Sequence, residues 1–254
     1  MKTSVFSVSL LVAGLAFGGS TEITNDYVIG AMPLSVAANR EEVVISIPWI
    51  EPGASADGVA VTNLVKTAGL VEDDDLYWYD SSSGNYKVWT VVSNTETHVQ
   101  YWAPKQIVGE SDSCVAAPDG KTLARGQALI LKRNSETKPA ITLYVVGGDG
   151  TGVAKTTMTM AAGTPSAPAY TLFAPPAVAA TAVNGLTWTI SSADDVKNDY
   201  ILLEDGSQLK YRNNAWTKIW YNDAGSKQTD PAPSIPMGSG AWYVSFGGSP
   251  TVAW

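Results

Sequence analysis

Asp75-Leu76-Tyr77-Trp78-Tyr79, then Asp80-Ser81-Ser82-Ser83-Gly84-Asn85, then Tyr86-Lys87-Val88-Trp89-Thr90-Val91-Val92 read as strand, loop and strand. Aromatic and β-branched residues suit a pleated, half-buried surface, and the Ser/Gly/Asn cluster between them supplies the turn. The same reading returns late in the chain. Asp199-Tyr200-Ile201-Leu202-Leu203 is followed by Glu204-Asp205-Gly206-Ser207 and by Gln208–Arg212. Here an Asp-Gly pair favours a tight hairpin, because glycine accepts a positive φ. A hairpin met twice points to a unit present twice.

Four further matches follow in the same order along the chain. Tyr27-Val28-Ile29-Gly30 returns as Tyr144-Val145-Val146-Gly147, and Ile45-Ser46-Ile47-Pro48 as Leu172-Phe173-Ala174-Pro175. Arg125–Ile130 is echoed by Met237–Trp242, and Pro139–Leu143 by Pro250–Trp254. The expected organisation is a leader over 1–20, a first β repeat over 21–143 and a second over 144–254. Gly147–Gly152 would be the hinge, and Ala140–Leu143 would run straight into Tyr144–Gly147 as an edge strand shared by both repeats. Ala161–Pro168 reads as a surface loop. Nothing long has helical periodicity; Thr62–Ala68 is the one short helical candidate, and its partner Asn184–Ile190 reads as strand. The fold class expected is all-β: two tandem antiparallel domains, β-sandwich or open barrel, arising from an internal duplication.

The first residues read as an export signal. Lys2 is the basic flank, Val5–Phe17 the apolar stretch, and Ala16-Phe17-Gly18 or Gly18-Gly19-Ser20 the cleavage site. That stretch is short of the roughly 20 residues a bilayer span needs. The expected location is therefore exported: extracellular, cell surface or periplasm, with no integral membrane span in the mature chain. Twenty-four acidic residues against 16 basic ones, a net charge of −8, argue against nucleic acid and anionic membranes, which need a basic face. Cys114 is the single cysteine, so stability must come from apolar cores; it reads as a loop thiol.

Nine tryptophans raise the possibility of an aromatic platform stacking on sugars. Tyr77, Trp78 and Tyr79 match aliphatic residues in the second repeat and so read as core, as does Trp242 against Ile130. The adjacent pairs Tyr101-Trp102 and Trp220-Tyr221 are kept in both repeats, each before a polar turn. Neighbouring strand residues point to opposite faces, so one ring of each pair is buried and the other is free to bind. These four are the candidate ligand-binding residues. The acidic runs Glu72–Asp75 and Asp194-Asp195 lack the alternate spacing of a calcium loop and read as solvated turns. His98 falls inside a strand, and there is no G-x-S-x-G elbow, paired metal-binding histidine or phosphate loop. No catalytic residue, metal site or cofactor is expected.

Ile45-Ser46-Ile47-Pro48, Asp75-Leu76-Tyr77-Trp78-Tyr79-Asp80 and Arg125-Gly126-Gln127-Ala128-Leu129-Ile130-Leu131 together resemble exported tandem β-repeat proteins, largely uncharacterised, of the planctomycete–verrucomicrobial group of bacteria. The likeness covers Tyr27 to Trp254. It implies export and a repeated β unit, and carries no activity or functional residue. The function expected first is a non-catalytic structural or adhesion module at the cell surface or in the extracellular matrix, its partner a second copy or a polysaccharide. A carbohydrate-binding module comes second, and a hydrolase with an unrecognised carboxylate pair third.

Overall fold

The computed structural model describes residues 29–47, 59–61, 69–105, 114–117, 121–134, 136–148, 157–176, 180–221 and 227–254, with backbone alone at 29–32, 59, 115, 146–148, 219–221, 227–229 and 231. Residues 1–28, which include the expected leader, residues 62–68 and most of the glycine-rich junction lie outside this set. The first strands are β1 (Ile29–Val36), β2 (Glu42–Ser46), β3 (Val59–Ala60), β4 (Asp75–Asp80), β5 (Asn85–Ser93) and β6 (Gln100–Pro104). They are followed by β7 (Cys114–Ala116), β8 (Thr122–Leu123), β9 (Ala128–Lys132) and β10 (Ile141–Gly148). Next come β11 (Thr157–Thr159), β12 (Ala169–Phe173), β13 (Thr181–Ala182), β14 (Thr187–Thr189), β15 (Tyr200–Leu203) and β16 (Gln208–Arg212). The chain closes with β17 (Ala215–Tyr221), β18 (Lys227–Pro231), β19 (Ser234–Ile235), β20 (Ala241–Ser245) and β21 (Thr251–Ala253). The protein is all-β, and its sheets are antiparallel except where β7 joins β5 in parallel.

One pairing scheme occurs twice. In the first half the large sheet runs β2-β9-β4-β5-β6, with β1-β10 and β3-β8 as separate ribbons. In the second half the large sheet runs β12-β20-β15-β16-β17, with β18 added, and the ribbons are β11-β21, which gains β14, and β13-β19. The registers agree as well as the order. Leu76 lies opposite Trp89 and Leu131, as Ile201 lies opposite Leu209 and Tyr243. Ile45 faces Leu129 as Phe173 faces Ala241, and Val91 faces Trp102 as Tyr211 faces Trp216. These side chains pack into two cores, one per half, with the ribbons as the lid: Val36 and Leu143 close the first, Met160 and Val252 the second. Bulk moves between strands. Trp89 and Leu131 in one half become Leu209 and Tyr243 in the other, keeping the ring while shifting it to a neighbouring strand.

Three expectations are corrected by these registers. Asp199 corresponds to Asp74, one residue before the match read from the sequence; in a strand that slip exchanges the two faces. Trp102 corresponds to Trp216, so Tyr101-Trp102 and Trp220-Tyr221 are not equivalent positions. Tyr144–Gly148 is not the opening of the second repeat. It continues β10 and pairs with Ile29–Pro33, Gly147 lying opposite Gly30, and among the described residues β10 pairs with β1 alone.

The halves meet across the outer faces of their large sheets. Val44, Ala128 and Ile130 pack against Leu172, Ala174 and Trp242. The contact is reciprocal. Ser46 N–H donates to the Gly238 carbonyl at 3.1 Å, and Ala174 N–H donates to the Gly126 carbonyl at 2.8 Å. Gly126 and Gly238 occupy the same place in equivalent turns, closed by Gln127 N–H to Ala124 O and by Ser239 N–H to Pro236 O. Both glycines have positive φ, 86° and 78°, which explains the residue type. A patch that contacts its own equivalent is the geometry of a two-fold interface.

Candidate functional site

Of the four aromatic residues singled out in sequence, the structure describes the side chains of Tyr101 and Trp102. Tyr101 is 49% exposed, whereas Trp102 is 4% exposed and packs in the first core. Its ring faces are therefore unavailable to a ligand, and the alternation expected within the pair is what buries it. Trp220 and Tyr221 lie in β17 opposite Gln228 and Lys227; their side chains fall outside the described residues. Among Tyr77, Trp78 and Tyr79, only Trp78 packs against the core, with the Lys121 Nζ 4.2 Å from its ring centroid. Tyr77 and Tyr79 point the other way.

Their destination is an aromatic cluster at the junction of the halves. Tyr79 meets Tyr86 at 5.1 Å between ring centroids and Trp242, from the other half, at 5.2 Å. Tyr77 adds to Tyr86 at 5.9 Å, and Tyr170 to Trp242 at 6.4 Å. All these pairs are edge-to-face, the arrangement that suits the ring quadrupole. Burial raises the Tyr79 and Tyr86 phenols, each helped by a neighbouring tyrosine. Tyr77 is raised further, by burial first and then by the charge of Asp75. The cluster thus presents neutral hydroxyls beside indole and phenol rings, with Tyr170 41% exposed at its rim. Sequence reasoning missed it because the rings come from β4, β5, β12 and β20, which no spacing connects.

The acidic run before β4 is not a solvated turn throughout. Glu72 and Asp73 are exposed, and Asp73 has φ 69°, but Asp74 and Asp75 are buried. Asp74 Oδ1 accepts from Asn134 N–H at 3.0 Å and Oδ2 from Val71 N–H at 3.1 Å. Its counterpart Asp199 does the same work: Oδ1 accepts from Phe246 N–H at 2.6 Å and Oδ2 from the Tyr243 hydroxyl at 2.6 Å. Asp195 and Asp194 are exposed.

Asp75 differs. It is 1% exposed, and its Oδ2 takes three donors: Lys105 Nζ at 2.5 Å, Asn134 Nδ2 at 2.9 Å and the Tyr77 hydroxyl at 3.3 Å. Oδ1 is buried without a hydrogen-bond partner among the described residues. Asn134 Nδ2 also donates to the Asp73 carbonyl at 2.6 Å, and since both its neighbours are acceptors the amide orientation is determined.

His98 lies in the turn before β6, at φ 55°, its N–H bonded to Asn94 O, rather than inside a strand. Cys114 is a half-buried free thiol in β7 and not a loop residue. Among the described residues no group of three or more His, Cys, Asp or Glu side chains is placed to hold a metal ion, and no helix is long and apolar enough to cross a membrane. Comparison with protein-family models, with curated proteins and with solved structures finds no match to this chain.

Proposed function

We propose that this protein is a non-catalytic, exported structural or adhesion module whose duplicated β units act as one rigid body. The observation that carries the reading is the reciprocal junction: paired hydrogen bonds at Gly126 and Gly238, an apolar patch from both large sheets, and aromatic rings packed across the seam. A module that transmits load or presents a surface needs fixed geometry between its parts. A hinge enzyme needs the opposite. Export rests on the leader-like residues 1–20, and the acidic surface keeps such a module clear of polyanions.

Purified chain from residue 21 onward should scatter as a single rigid particle whose profile does not change with salt. It should also self-associate or bind intact cell envelopes. Profiles that require independently moving halves would remove the basis of the proposal.

A carbohydrate-binding reading is supported by one different feature, the half-open cluster of Tyr79, Tyr86, Tyr170 and Trp242. It predicts saturable depletion of the protein by insoluble polysaccharide, lost in Tyr170→Ala and kept in Tyr101→Ala. No depletion by any polysaccharide leaves the cluster as interface packing.

A further inference from the structure

Among the described residues, Lys105 and Asn134 meet at the buried carboxylate of Asp75 in a polar trio that the second half lacks. The sister half is the internal control. By register, Asp75, Lys105 and Asn134 correspond to Tyr200, Ile219 and Phe246. Lys105 follows Pro104, which faces Trp89, just as Ile219 follows Lys218, which faces Leu209. Phe246 is placed by its N–H bond to Asp199, the equivalent of that from Asn134 to Asp74. Tyr200 and Phe246 meet there in a tilted ring contact, 6.2 Å between centroids. One half thus brings together an amine, a carboxyl and a carboxamide from positions that by register are tyrosine, isoleucine and phenylalanine in the other. Asp75 is buried while Lys105 reaches it from a half-exposed position and Asn134 from an exposed one, and burying that carboxylate costs desolvation that an apolar residue at the same place would not.

The residue types and their placement supply a reason. Lys105 Nζ and Asn134 Nδ2 donate to the same oxygen of Asp75, so amine and carboxamide are neighbours across one carboxylate. Asn134 is held by its backbone N–H on Asp74 and by its side-chain nitrogen on Asp73 O and Asp75. Proximity of this kind replaces a bimolecular encounter by a unimolecular step. A lysine amine is a nucleophile once a neighbouring base has taken its proton, and a carboxyl can return that proton to a leaving group.

We propose that Lys105 and Asn134 become joined by an intramolecular amide bond, with Asp75 as the proton carrier. The Lys105 ammonium gives a proton to Asp75, and the freed amine attacks Cγ of Asn134. Asp75 delivers that proton to Nδ2 as the tetrahedral carbon collapses. The bond from Nζ to Cγ forms, the bond from Cγ to Nδ2 breaks, and ammonia leaves, carrying away the remaining proton as ammonium. No oxidant, reductant or second substrate is needed. The product ties the segment after β6 to the end of β9, across β4 and β5, and so cross-links the large sheet of the first half. The inference does not depend on the adhesion reading.

Intact-mass spectrometry of the purified protein tests it. The expected mass is lower than that of the linear chain by one ammonia, and a tryptic digest yields a branched peptide joining Lys105 to Asn134. Asp75→Asn, Lys105→Arg and Asn134→Ala should each restore the full mass. The triple variant Asp75→Tyr, Lys105→Ile, Asn134→Phe borrows the sister half's residues and keeps the test clear of misfolding. Losing a covalent tie of this kind should lower the unfolding midpoint by on the order of 10 °C, by analogy with other cross-links closing a loop. A wild-type chain of full mass would overturn the proposal. So would the loss of one water with the branch at Asp75, which would place the bond on the carboxyl instead.

Discussion

The first half enters its central strand through Asp74-Asp75, and the second enters its own through Asp199-Tyr200. The first aspartate of each pair does a job both halves share, accepting the N–H that follows the neighbouring strand. The next position is where they part. Asp75 gathers a lysine, an asparagine and a tyrosine, whereas Tyr200 lies under Lys210, whose Nζ is 4.8 Å from its ring centroid, and against Phe246. What two copies of a scheme retain belongs to the fold. What only one carries is where a separate role is to be sought.

The equivalence of the halves is most severely tested at their core tryptophans. Trp102→Ala and Trp216→Ala should each cost about 4 kcal/mol, as truncation of a fully buried ring does, while Tyr101→Ala should stay within about 0.5 kcal/mol. Denaturant midpoints check this; a tolerated Trp102→Ala would break the register correspondence. A smaller difference separates the shared aspartates. Asp199→Ala should cost about 3 kcal/mol and Asp74→Ala about 2 kcal/mol, because only Asp199 also leaves a buried tyrosine hydroxyl without a partner. Equal losses would mean that the Tyr243 contact contributes nothing.

The hairpin loops give the finest comparison. In the first half burial pushes the Asp80 carboxyl up, but hydrogen bonds from Ser82 and Ser83 win and hold it below its ordinary value. In the second, the Ser207 backbone and side chain hold Asp205 below it. A carboxyl lowered by folding contributes stability above its unfolded value, near pH 4, and loses it as the pH falls through the folded one. Asp80→Asn and Asp205→Asn should therefore each cost a little stability at neutral pH and flatten the acid limb of the stability profile. An unchanged acid limb in both variants would show that neither cap is formed in solution.

Much of the architecture was legible along the chain. β16 was read residue for residue and β15 to within one residue, because their alternation is clean and the turn between them carries Asp-Gly. The two-residue strands β3, β8, β13 and β19 left no trace, since two residues show no period. A repeat was expected from the sequence, and the strand registers match the two halves one residue away from where that reading put them. Asp75 and Asp199 look alike as letters, and only strand pairing shows that Asp74 is the true partner. The site was the least legible part. Tyr101 and Trp102 attracted notice by adjacency, the property that sends them to opposite faces, while Tyr79 and Trp242 drew none because they come together from distant strands.

By itself the sequence determined the β class and the hairpin turns, which follow from local preference and short-range period. Tertiary structure alone decided which faces are buried, which aspartate matches which, and that an amine, a carboxyl and a carboxamide meet in one half. The reason is physical. Alternation specifies that a strand has two faces without saying which is inner, and long-range pairing is chosen by the packing of the whole core.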